Sequence, residues 1–393
     1  MKKSLILFFL TLIFITFLVS CTDEPSSLGV ELISGDLVVI KTFDSQIDSV
    51  AQSSSYFKNV ISLGSSSWIL LGKYQDTEAS VLLKFIFGLS DSLRTDVIDN
   101  NISVLDSWIV LRNRYTYGDT LASMEFTTHK VNSDWSFTQF TIDSLSKLQY
   151  ETENIGSNLT STDTNYTFNI DESLALSWMK NSADNTLESN YGIYLKPTDM
   201  SGKISGFEAF TALSSEAAKL YVVIEKSGVY TDTINGFIIG DVSLVDGDVP
   251  AFPVGLIGIQ SGVAVYSKLN FDVSGLPKGL VVNSAELILA QDSVNSVFGT
   301  GFNNSLRAGF LQYVDSLNTQ GNAITLAFNN NTFTGNITAF LRNWIDTGDN
   351  NGLLIQPGNQ FDGLELFAIY GSDASNFLLR PRLKVTYTIK ENL

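Results

Sequence analysis

Arg382-Leu383-Lys384-Val385-Thr386-Tyr387-Thr388-Ile389 is the stretch that decides the fold. Leu383, Val385, Tyr387 and Ile389 alternate with Lys384, Thr386 and Thr388. A period of two puts one set on a buried sheet face and the other in water. The pattern occurs earlier as Lys219-Leu220-Tyr221-Val222-Val223-Ile224, with Leu220, Val222 and Ile224 inward. Working outward, four more blocks recur in the same order. Lys84-Phe85-Ile86-Phe87-Gly88-Leu89-Ser90 matches Lys268-Leu269-Asn270-Phe271-Asp272-Val273-Ser274. Ser107-Trp108-Ile109-Val110-Leu111 matches Ala285-Glu286-Leu287-Ile288-Leu289. Leu174 to Trp178 matches Phe340 to Trp344, and Asn190 to Pro197 matches Asn350 to Pro357. The offsets along the chain are 184, 178, 166, 160 and 163 residues. Drifting offsets between fixed blocks mean one unit written twice with loops of different length.

Turn residues such as Asn235-Gly236, Asp246-Gly247-Asp248 and Asp362-Gly363 punctuate the strands. Many short strands without an alternating βα pattern predict an all-β chain of two tandem antiparallel β-sandwich (jelly-roll) domains. Each carries one short helix. Ile337, Phe340, Leu341 and Trp344 form a single apolar stripe, with Asn336 placed to cap the start and Gly348 to end it. Trp178 and Trp344 read as core residues that seat the helices on the sandwiches.

The N-terminus reads as an export signal. Lys2 and Lys3 precede the run Leu5 to Val19, apolar except for Thr11 and Thr16. At about 1.5 Å per residue this run is too short for a bilayer core of roughly 30 Å, so residues 1–20 read as a signal peptide. The run ends in Leu18-Val19-Ser20-Cys21, and Cys21 is the only cysteine. That segment resembles a bacterial lipobox, which implies lipidation of Cys21 and a membrane anchor there. Thr22-Asp23-Glu24-Pro25-Ser26-Ser27 is a polar tether, residues 21–35 in all. Its acidic residues resemble the export tag of surface lipoproteins of the Bacteroidota kind, implying the outer membrane, facing the cell surface. Domains are expected over 36–227 and 228–393.

Composition excludes several functions. The 393 residues are 44% hydrophobic and 17% charged, which suits packed domains rather than disorder. Loss of residues 1–20 leaves 22 basic and 41 acidic residues, a net charge of −19. Nucleic-acid binding, which relies on Lys and Arg against phosphates, is not expected. One His and one Cys are too few for a Cys/His zinc centre. His129 lies in a strand-like stretch and reads as structural.

The second copy resembles a known family. The residues that carry it are Lys268-Leu269-Asn270-Phe271-Asp272-Val273-Ser274-Gly275-Leu276-Pro277, then Val282 to Leu289, the helix ending in Trp344, Asn350 to Ile355, and Arg380-Pro381-Arg382 to Tyr387. Together they resemble the DNRLRE-type domain, a β jelly roll related to carbohydrate-binding modules. The resemblance covers roughly 229–390, and 36–226 more loosely. It implies the jelly-roll fold; the matching residues are mainly scaffold positions and do not by themselves name a ligand.

Glycan recognition calls for exposed aromatic rings. Trp68, Tyr74, Tyr115, Tyr117 and Trp135 lie outside the core pattern and are the candidate ligand-binding residues. In an extended run, Tyr115 and Tyr117 point to one side. The alternative is that these rings complete the core or its rim. Asp241, Asp246 and Asp248 could supply oxygens to a structural Ca2+, although the spacing lacks the closing Glu of a full loop signature, which favours a solvated acidic turn. The expectation is a non-catalytic, lipid-anchored envelope protein that binds polysaccharide. The alternative is a structural or adhesion protein that contacts another envelope protein.

Overall fold

The structure, a computed structural model, describes residues 37–391 apart from 49, 163, 213–215 and 302. The signal segment 1–20, Cys21 and nearly all of the tether lie outside the described residues.

Two strands come first, β1 (Leu37–Asp44) and β2 (Gln52–Lys58). The first unit then runs through β3 (Trp68–Tyr74), β4 (Thr77–Phe87), helix α1 (Asp91–Ile98), β5 (Ser103–Gly118) and β6 (Phe126–Lys130). It continues with β7 (Gly156–Ser161), β8 (Asn165–Ile170), helix α2 (Glu172–Ala183), β9 (Ile193–Pro197), β10 (Lys203–Glu208) and β11 (Lys219–Lys226). A long strand β12 (Tyr230–Asp246) leads to the second unit, which opens with β13 (Leu256–Gln260), β14 (Val265–Phe271) and β15 (Val281–Val297). Next come β16 (Ser305–Leu311), β17 (Thr319–Asn329), β18 (Thr332–Asn336) and helix α3 (Thr338–Thr347). The unit closes with β19 (Leu353–Pro357), β20 (Leu366–Tyr370) and β21 (Arg382–Glu391). Every ladder is antiparallel, and the two hydrogen-bonded sheets each wrap one apolar core.

The duplication is visible in register. Leu220 faces Ile109 across β11 and β5, and Leu383 faces Leu287 across β21 and β15, as offsets of 163 and 178 require. Asn190 Nδ2 donates to the Phe85 carbonyl at 2.6 Å, and Asn350 Nδ2 to the Phe271 carbonyl at 2.6 Å. Leu83 faces Ile193, and Leu269 faces Leu353. These pairs make Phe85 the counterpart of Phe271, an offset of 186 rather than the 184 read from sequence. A two-residue slip keeps every side chain on its face, so hydrophobic alternation alone does not detect it. Gly192 and Gly352 both take positive φ, and a Cβ there would stand 2.0 Å and 2.7 Å from the Leu83 and Leu269 carbonyl oxygens. The helices behave alike. Trp178 stacks on Phe85, and Trp344 packs on Phe310, both indoles buried. Asn336 Oδ1 accepts from the Thr338 N–H, and Gly348 ends α3 in the left-handed region.

The leading strands do not stay with the residues next to them in the chain. β1 pairs along its length with β21, and β2 with β14. β12 turns back at Gly228, pairs with β11, and then continues along β4. The strands that precede the first unit therefore complete the second, and the strand that precedes the second completes the first. A tight turn gives the reason: the Val229 N–H donates to the Lys226 carbonyl at 2.9 Å, so β12 meets β11 at little loop-closure cost. The edges of β21 and β14 are then covered by β1 and β2, which become the outer strands there. Residues 37–58 thus sit in the second unit, not in a first domain over 36–227.

The units share a third core. Leu63, Leu70, Tyr115, Tyr117, Ile204 and Val245 meet Val263, Val265 and Leu364. The Leu364 N–H donates to Tyr115 Oη at 2.9 Å, and the Thr300 N–H to the Thr116 carbonyl at 2.9 Å.

Candidate functional site

The five rings expected at the surface do not form a platform. Tyr115 and Tyr117 do share one side of β5, but that side faces the core between the units, and they are 1% and 4% exposed. Trp68 lies 4.9 Å from the Tyr115 ring and Tyr74 packs edge-on to Tyr117. Burial pushes both phenols far above their ordinary range. Trp135 donates its indole N–H to the Tyr191 carbonyl at 2.8 Å and packs with Leu82, Tyr194 and Val242. Sequence period gives a side, and cannot say whether that side meets water or another unit.

The three aspartates are dispersed too. Asp241 is buried in β12 and accepts the Phe210 N–H at 2.6 Å; burial pushes its carboxyl up to about 7. Asp246 is exposed and pairs with Lys58 at 3.3 Å, and Asp248 is exposed beyond it. Five residues of strand, roughly 16 Å at about 3.3 Å per residue, separate Asp241 from Asp246, so they do not share an ion. Among the described residues no group of three or more His, Cys, Asp or Glu is placed to hold a metal. His129 is buried, with Nε2 2.8 Å from Thr127 Oγ1 and Nδ1 3.0 Å from the Glu153 carbonyl.

A different aromatic surface exists. On the outer face of the first unit the register aligns Asn169 of β8, Trp108 of β5, Tyr221 of β11 and Asn235 of β12 in one row. The Trp108 and Tyr221 rings lie nearly parallel, 5.4 Å apart. The next row is Val110, Lys219, Phe237 and Ile86, with Phe237 58% exposed. Asn169 Nδ2 also donates to Asp106 at 2.7 Å beside Trp108. The strand alternation that buries Ile109 and Leu111 turns Trp108 and Val110 outward. In the second unit the row at the same register is Asn336, Glu286, Lys384 and Asp44. The same fold carries two charged residues, Glu286 and Lys384, at those positions, so it does not itself demand the aromatic pair. Had outward positions of the repeats been compared as inward ones were, Trp108 and Tyr221 would have stood out.

Two hollows lie around β6 and β7, the second bordering the aromatic row at Asp106 and Asn169. A groove of about 980 Å3 opens between β6 and β7, with Ser123, Thr127, Ser157, Ser161 and Lys203 on its walls and Phe126 and Phe168 at its floor. Beyond Asn154–Asn158 lies a second hollow of about 850 Å3, edged by Asp106, Glu151, Asp171, Glu188 and Lys130. Three of these carboxylates have structural partners: Asp106 accepts from Asn169 Nδ2 at 2.7 Å, and the other two are Asp171 and Glu151. Asp171 caps α2 and is held low by the Ser173 hydroxyl and the first N–H groups of the helix, while Glu151 pairs with Lys130 at 3.4 Å.

No protein-family model and no curated protein matches the chain. Among solved structures the chain is similar to the N-terminal domain of the Streptococcus gordonii adhesin Sgo0707, at 10% identity and a TM-score of 0.17. The match covers 78% of this chain and 52% of that one, so the chain spans about half the length of that structure. A likeness at that score carries no functional weight.

Proposed function

We propose that the protein is a lipid-anchored envelope protein that binds glycan without transforming it, on the outer face of its first unit. The observation that carries this reading is the Trp108–Tyr221 pair between Asn169 and Asn235, on a sheet face whose duplicate carries Glu286 and Lys384 instead. Aromatic faces give a sugar's C–H surface an apolar partner, and neighbouring amides give its hydroxyls donors and acceptors. The resemblance of the second copy to DNRLRE-type domains supports a binding scaffold. The structural bonds of Asp171 and Glu151 fit a non-catalytic role for the acidic hollow. The lipobox at Cys21 supports anchoring, and the acidic tether supports the outward-facing leaflet of the outer membrane.

The test is a glycan array with the chain carrying Cys21→Ser and lacking residues 1–20. Retention of a polysaccharide that Trp108→Ala or Tyr221→Ala weakens at least about tenfold, roughly 1.4 kcal/mol, supports the reading. Retention that survives the double substitution removes this face from the account. With no glycan retained and one envelope protein cross-linked through this face, the protein is an adhesion or structural component instead. In cells, Cys21→Ser shifts the protein from the membrane to the soluble fraction if the anchor is real; continued sedimentation with membranes rejects it.

A further inference from the structure

We propose that the groove between β6 and β7 extends the outer-face site, so that one uncharged glycan chain lies across the strands from the aromatic pair and passes over Ser157 into the groove. This rests on glycan binding at the outer face. The row that holds the pair continues past Asn169 to Ser157 of β7, which faces Asn169 across the ladder. Three strand spacings, about 14 Å at roughly 4.8 Å each, carry the row from Tyr221 to Ser157. Ser157 also lines the groove. There β7 bulges between Ser157 and Thr160, with Asn158 at positive φ, and a bulge re-aims side chains at a sheet edge.

The groove, like the aromatic pair, is peculiar to the first unit. In the second unit β16 and β17, the counterparts of β6 and β7, close the same place with a ladder from Ser305 opposite Ala327 to Leu311 opposite Thr319. Among the described residues no ladder joins β6 to β7. The β6 backbone is occupied by the connection that follows it. The Thr128 N–H donates to Asn154 Oδ1 at 2.9 Å, and the Thr128 and Lys130 carbonyls accept the Ile155 and Glu151 N–H groups, each at 2.9 Å. The groove therefore offers a ligand side chains, not a strand edge. Ser157, Asn158 and Ser161 line it from exposed positions, over the Phe126 and Phe168 floor. Asn113 lines it too, and its Oδ1 is buried without a partner. Such an acceptor is costly until a donor, here a sugar hydroxyl, reaches it. Hydroxyls and amides above aromatic rings match the hydroxyls and C–H faces of a sugar. Among the described residues the charged groups on the walls are Glu125 and Lys203, and Lys203 donates to the Thr120 carbonyl at 3.3 Å. The rim at Ser157 and Asn158 also borders the hollow that holds Glu151, Asp171 and Glu188, which disfavours a chain bearing carboxylates.

The experiment titrates trisaccharides and octasaccharides of glucose, mannose, xylose and galactose, with oligogalacturonate as the charged counterpart, into the chain lacking residues 1–20 with Cys21→Ser. A neutral octasaccharide should bind at least tenfold more tightly than its trisaccharide and than oligogalacturonate. Ser161→Trp, which fills the groove from an exposed position, should bring the octasaccharide down to the affinity of the trisaccharide. Asn113→Ala should weaken the octasaccharide without lowering the thermal midpoint of the free protein, because it deletes an unpaired acceptor; a lowered midpoint would make Asn113 structural and overturn its part. Trp108→Ala should weaken both lengths. If Trp108→Ala weakens binding but the octasaccharide gains nothing over the trisaccharide, or keeps its gain in Ser161→Trp, the groove is overturned and the outer face stands. If Trp108→Ala is silent and Ser161→Trp abolishes binding, a site continuous with the outer face is overturned. Preference for oligogalacturonate, or no binding of any neutral oligomer, overturns the uncharged chain, and loss of oligogalacturonate binding on Trp108→Ala would still leave the outer-face reading intact.

Discussion

Glu365 sits in the shared core region beside Tyr115, with one carboxylate oxygen lacking a hydrogen-bond partner. Burial pushes its carboxyl up to about 7, and nearby Asp362 pushes the same way. Asp241 is raised to about 7 by burial alone. A raised carboxyl pKa means the folded state holds the proton more tightly than the unfolded chain. Stability is thus highest below the unfolded values near 4, falls as pH rises to about 7, and is level beyond that. Glu365→Gln should raise stability at pH 8 by up to about 3 kcal/mol and change it little at pH 4.5, read by denaturant melts at the two pH values. An equal effect at both pH values would mean the carboxyl is not buried as described. Asp44 behaves oppositely. Its pair with Arg382 holds the carboxyl low, so its contribution is present above the unfolded value of 3.8 and is lost as pH falls below it. Asp44→Ala should cost about 1.5–3 kcal/mol at pH 7, the range for a hydrogen bond to a charged group. At this scale the sequence is readable for Trp178, Trp344 and Gly348, whose roles come from local period and backbone geometry. It is not readable for Tyr115 or Tyr117, because their surroundings come from residues such as Val263 and Leu364 far along the chain.

Strands show the same divide. Alternation in Leu220 to Ile224 and Leu383 to Tyr387 identifies β11 and β21 and their inward faces correctly. What alternation does not contain is a partner. Nothing in Leu37-Val38-Val39-Ile40 says that it pairs with β21 rather than with β11, since either edge would accept it. The pairing is set by competition: β12 reaches β11 through a local turn and leaves β21 for β1. Removal of residues 37–58 should therefore expose β14 and β21 and spare β4 and β11. Native-state hydrogen exchange on the truncated chain measures this, and loss of protection confined to the first unit would contradict the exchange of strands.

For the molecule as a whole, the exchanged strands and the common core around Tyr115 tie the two halves into one cooperative system. Thermal unfolding should give a single transition in which calorimetric and van't Hoff enthalpies agree. Two separated transitions would show that the shared core contributes little. The duplication and the all-β class are legible because repeats and period are properties of the sequence alone. The joint between the copies is not, since its residues are spread over both.

The pairing of Leu37 with Glu391 brings the two ends of the described chain side by side in one ladder. A gene circularly permuted there, with its ends spliced and a new start cut in the loop at 247–255, would encode every strand of the C-terminal module without interruption, then every strand of the other. The protein is thus two intact modules whose order of assembly along the chain has been rotated, and such a permutant should fold to the same structure with its crossed strands made contiguous.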